Sequence, residues 1–145
     1  MKGFFFGTVF VFFALTCLRC EAGKDRIWAA VVVATQKESA NPSKHLQPYL
    51  PTIQKAFGYA HAHIRDEENK KLEPGKTYWL KPGDGFAFKV ICEQRESADY
   101  LAKVEAYEGQ RLIFNADTKL ARGEPIFIRG PKWGQERILL LLAVE

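Results

Sequence analysis

Two segments near the ends of this chain, Ile27 to Thr35 and Ile138 to Val144, are apolar at nearly every position and not only at alternate ones. A β-strand projects successive side chains to opposite faces, so a strand that is apolar throughout needs cover on both sides. Neither segment suits a sheet edge, where an unpaired apolar ladder would invite aggregation. The two are therefore expected to be neighbours, in the middle of a sheet or between two layers.

Between them lie shorter β signals. Phe86 to Arg95 alternates, with Phe86, Phe88, Val90 and Cys92 against Ala87, Lys89, Ile91 and Glu93. Tyr59 to Arg65 also has a period of two, with Tyr59, His61, His63 and Arg65 on one face. Further strands are predicted at Lys76 to Lys81, Tyr100 to Tyr107, Gln110 to Asn115 and residues 123 to 129. Pro82-Gly83-Asp84-Gly85, Ser97-Ala98-Asp99 and Glu108-Gly109 supply turn chemistry, and Gly130-Pro131-Lys132-Trp133-Gly134 is expected to form a loop. The run Asp66-Glu67-Glu68-Asn69-Lys70-Lys71 is expected to be a solvated charged segment.

One stretch has helical spacing: Leu46, Tyr49, Leu50, Ile53, Ala56 and Phe57 fall three and four apart. Pro51 suits the first turn and Gly58 a left-handed end, leaving about two turns, too short to persist unless its stripe lies on the sheet. The expected fold is mainly β: a small β-sandwich or partly open barrel of seven or eight strands, with one short helix after the first strand.

The amino-terminal residues have the organisation of an export signal. Lys2 precedes the apolar run Phe4 to Leu15, which is short of the ~20 residues that span a bilayer. Residues 1–22 are thus expected to be a cleaved signal peptide, cut after Ala22, with a single domain at 23–145 and a secreted or periplasmic location. No stable membrane span is expected after cleavage. The chain has 21 Lys and Arg against 17 Asp and Glu, and loss of Lys2, Arg19 and Glu21 would reduce its charge from +4 to +3. Such mild, interleaved basicity favours solubility and does not point to a nucleic-acid partner. Cys17 and Cys20 fall within the leader, so Cys92 remains alone, and the domain must stand on packing without an internal disulfide.

Chemistry-bearing motifs are sparse. Serines stand only at positions 39, 43 and 97, none in a nucleophile elbow, and there is no phosphate-binding glycine motif. A paired-carboxylate hydrolase, for instance with Asp66 and Glu93, is the least favoured reading. His61 and His63 project from one strand face and are weak candidates for a metal pair, needing a third ligand such as Asp66, Glu67 or His45; no metal or other cofactor is expected. The binding candidates are Trp133, flanked by Arg129 and Lys132, together with Tyr78 and Trp79. An indole among basic residues suits a protein hot spot or a stacking surface for a sugar.

The succession of Ile27 to Thr35, the Leu46 to Phe57 stripe, Pro125-Ile126-Phe127-Ile128-Arg129-Gly130-Pro131 and the closing apolar strand resembles small exported bacterial β proteins of uncharacterised function. The resemblance supports the architecture and implies no site residues. The expected function is a non-enzymatic extracytoplasmic module that binds another envelope protein or itself, with carbohydrate or small-ligand binding through exposed aromatics as the alternative.

Overall fold

The computed structural model describes residues 25–38 and 42–145; the leader assigned to 1–22 and Ser39 lie outside the described residues. Eight strands form: β1 Arg26–Thr35, β2 His61–Lys71, β3 Thr77–Gly83, β4 Phe86–Glu96, β5 Asp99–Glu108, β6 Arg111–Leu120, β7 Ile126–Trp133 and β8 Glu136–Val144. They make two four-stranded antiparallel sheets, ordered β2-β1-β8-β7 and β3-β4-β5-β6. The fold is sandwich-like and does not close into a barrel.

The doubly apolar strands are adjacent in the centre of the first sheet, with Ile27 opposite Val144 and Ala34 opposite Arg137. Each face meets a different layer. Ile27, Ala29 and Val31 join Ile138, Leu140 and Leu142 in a core against Leu80, Phe88, Val90 and Val104 of the second sheet. Trp28, Ala30, Val32 and Ala34 join Leu139, Leu141 and Ala143 beneath Leu46 and Ile53, with Tyr49 and Phe57 packed alongside. The helix α1, Leu50–Phe57, thus supplies a third layer. The start of β1 and the end of the chain are tied as well, since Arg26 and Glu145 exchange backbone hydrogen bonds of 3.1 and 2.9 Å.

The helix begins one residue before Pro51 and ends at Gly58, whose φ of +76° lets its amide donate to Gln54 O at 2.9 Å. Pro48 sits in the preceding 3-10 turn, Gln47–Tyr49.

Several boundaries differ from expectation. The charged run 66–71, half-exposed to exposed, is also the second half of β2, because its backbone pairs with Arg26–Val31 while its side chains blunt an edge. A bulge at Arg65, between the Val31 and Val32 pairings, changes which residues face the second sheet. Asp84 and Gly85, at φ +56° and +78°, make the tight β3–β4 turn, while Pro82 and Gly83 stay in β3. The β5–β6 turn is Gly109-Gln110, one residue later than predicted, and β6 extends to Leu120.

Residues 130–133, expected in a loop, belong to β7, and the reversal falls at Gly134-Gln135. Their ladder to β8 is interrupted between Arg129 and Lys132. Gly130 allows the close approach there: a Cβ on it would lie 2.8 Å from the carbonyl oxygen of Ile138.

Candidate functional site

The two long sides of the sandwich are unlike. On one, β2 and β3 are stitched across the layers: Lys81 N–H donates to Asp66 Oδ2 at 2.6 Å, and Arg65 Nε donates to Pro82 O at 3.2 Å. On the other, β7 and β6 are the terminal strands of their sheets and do not pair with each other. The gap between them is a cleft of about 360 Å³, lined by Phe86, Phe88, Ile113, Phe114, Ile128 and Pro131.

The cleft follows from register. Phe114 lies opposite buried Ala106, so it points to the inner face of its sheet, yet it remains 36% exposed because no strand of the first sheet lies over it. Ile113 sits at a bulge in β6, between the pairings of Leu112 with Tyr107 and Phe114 with Ala106. Leu112 therefore turns to the outer face. Leu112, Ile113 and Phe114, together with Trp79, are the large hydrophobic side chains exposed among the described residues.

Trp79 and Leu112 are linked across the outer face of the second sheet. Tyr107, opposite Leu112, has its ring centroid 6.0 Å from that of Trp79. An apolar band thus runs from Trp79 over Tyr107 and Leu112, round the edge of β6, to Phe114 in the cleft. Glu108 and Arg111 form an exposed ion pair at the cleft mouth, a contact of little net energy.

The sequence candidates are dispersed. Trp133 packs on the inter-sheet core, and the Arg65 guanidinium, held by Asp84 at 3.3 Å, lies 4.8 Å from its ring centroid. The indole caps the end of the core instead of standing in an open loop. Arg129 is 5.5 Å from the Phe57 ring, on the helix side of the first sheet, and Lys132 lies opposite Arg137. No cluster of Trp133 with both basic residues forms around an open indole.

Tyr78 is buried; its hydroxyl donates to Lys71 O at 2.7 Å and accepts from Glu73 N–H at 3.1 Å. Burial pushes its pKa up, as expected of a structural tie between β2 and β3. Strand alternation puts Trp79 outward, 46% exposed.

His61 and His63 share a face of β2, opposite Thr35 and Val33. His63 Nδ1 is buried without a protein hydrogen-bond partner. The potential third ligands have other positions or partners: Glu67 accepts from the Trp28 indole at 2.8 Å, Asp66 from Lys81, and the His45 ring lies 5.4 Å from that of Trp28. No group of three His, Cys, Asp or Glu comes together among the described residues. Asp66 and Glu93 are not paired either, since Glu93 faces Lys103 across the second sheet. Ser43 Oγ accepts the Leu46 amide at 3.3 Å, Ser97 occupies the β4–β5 turn, and Cys92 is buried, with its thiol pKa raised by that burial. No helix of the described residues is long and apolar enough to cross a membrane.

Phe114, Ile113, Leu112 and Tyr107 escaped the sequence reading, although a signal was present. Three large apolar residues in succession cannot all point inward from one regular strand. Comparison with protein-family models, with curated proteins and with solved structures finds no match.

Proposed function

We propose that this chain is a non-enzymatic extracytoplasmic interaction module that pairs β6 with the same strand of a second copy. The export signal expected from residues 1–22 supports a location outside the cytoplasm. The observation that carries the pairing is the contrast among the four sheet edges. β2 is charged along its second half and tied to β3; β3 carries Pro82; β7 carries Pro131 and an interrupted ladder. These are the devices by which sheets avoid edge-to-edge association. β6 has ten residues, no proline and three exposed large apolar side chains.

The apolar residues support the second copy as occupant. Antiparallel pairing centred on Phe114 brings the two exposed Phe114 rings together on one face of the joined sheet. Such a cross-strand pair contributes about 0.2–1 kcal/mol, and removal of the apolar triplet from water supplies the remainder.

Light scattering on the purified protein across a range of concentrations tests the reading. A dimer is expected, and Phe114→Lys should return it to one chain with its far-UV circular dichroism unchanged. A single-chain mass at every concentration refutes homotypic pairing.

A further inference from the structure

Among the described residues no layer covers the outer face of the second sheet, and at its centre four side chains hold one another in place. Trp79 and Tyr107 present rings 6.0 Å apart with planes inclined by 36°. The Lys89 ammonium lies 5.5 Å from the indole centroid and 3.3 Å from Glu105 Oε2. Tyr107 donates its hydroxyl to the same Glu105 carboxylate oxygen at 2.6 Å. Asn115, directly opposite Glu105 on β6, extends the polar row.

We infer that this face is a binding surface for a neutral glycan, with a sugar ring stacked on Trp79 and Tyr107 and its hydroxyls met by Glu105, Lys89 and Asn115. Three features favour that ligand class. Trp79 is 46% exposed, so a ring can settle on the indole surface that Lys89 leaves uncovered without entering a pocket. The charges cancel: Lys89 neutralises Glu105, and in the adjoining register row Lys103 stands opposite Asp117. A field balanced in this way does not favour a polyanion or a polycation over a neutral partner. Finally, Glu105 keeps acceptor capacity while its position is fixed by two donors, so little side-chain ordering remains to oppose binding. Only Asn115 of these residues belongs to β6; Trp79, Lys89, Glu105 and Tyr107 lie on β3, β4 and β5, away from the edge proposed to pair.

The test is tryptophan fluorescence of the intact protein titrated with cellohexaose, maltohexaose and chitohexaose, with heparin as the acidic comparison. A saturable change with at least one neutral oligosaccharide is expected. Trp79→Ala should weaken binding by about tenfold or more, read by calorimetry because the reporter is then lost. Tyr107→Phe should weaken it less, by freeing Glu105 while keeping the ring. Trp133→Phe should leave affinity unchanged, and Trp79→Ala should leave the mass by light scattering unchanged, which separates this surface from the β6 edge. No binding of any neutral oligosaccharide overturns the inference. So does binding of heparin alone, or neutral-sugar binding that survives Trp79→Ala.

Discussion

Leu140 and Leu141 are adjacent in β8 and both are fully buried, yet they lie in different layers. Leu140 sits between two sheets whose backbones are locked by hydrogen-bonded ladders. Leu141 sits beneath the eight-residue helix α1, which is attached to the sheet by side-chain packing. Truncating a buried leucine to alanine costs about 2.7 kcal/mol where the surroundings collapse into the space and up to about 5 kcal/mol where they cannot. Two sheets cannot approach locally without bending their ladders, whereas a short helix can settle. Leu140→Ala should therefore cost about 4 kcal/mol and Leu141→Ala about 3 kcal/mol. Leu112→Ala, at a position 45% exposed, should stay within about 0.5 kcal/mol on the single chain. Urea titration followed by circular dichroism measures all three, and an unchanged slope for each variant validates the comparison. A cost for Leu141→Ala exceeding that of Leu140→Ala by more than about 1 kcal/mol, or a cost for Leu112→Ala equal to either, would refute the difference between the layers.

Two further outcomes follow from particular contacts. Tyr100 is buried and donates to Asp25 at 2.7 Å; burial, then the neighbouring carboxylate, push its pKa up to about 12 from 10.0. A raised folded pKa contributes stability below the unfolded value and loses it as pH rises through the folded one. The stability advantage of wild type over Tyr100→Phe should accordingly shrink between about pH 10 and 12, by on the order of 3 kcal/mol, as measured by urea titration at fixed pH. An advantage unchanged over that interval refutes the assignment. Gly130→Ala places a methyl group 2.8 Å from Ile138 O; with backbone as the obstacle it should cost about 1–3 kcal/mol in denaturant titration, and a neutral result would show that β7 can shift there.

Much of the site lay beyond a reading of local pattern. Trp133 has the neighbours of an exposed hot spot, Gly, Pro and Lys, but Arg65, nearly seventy positions earlier, is what covers its ring. Tyr78 and Trp79 are adjacent, and alternation requires that one be buried without saying which; the core contacts of β3 decide it. The Leu112 to Phe114 triplet could be seen as anomalous, but its exposure depends on β6 being the last strand of its sheet among the described residues, a property of sheet order.

By itself the sequence determined the elements whose physics is local or one-dimensional. Alternation marks β4 and the first half of β2, proline and glycine bound α1, and a run with no polar face requires β1 and β8 to be central. Only the tertiary structure decided that α1 and the second sheet cover opposite faces of that pair, that a charged run is a paired strand, and that the sandwich is stitched at β2 and β3 but open at β6 and β7. A residue's pattern states which environment it prefers. Which residues receive that environment depends on long-range pairing, because burial and edge exposure are set by neighbours distant in the chain.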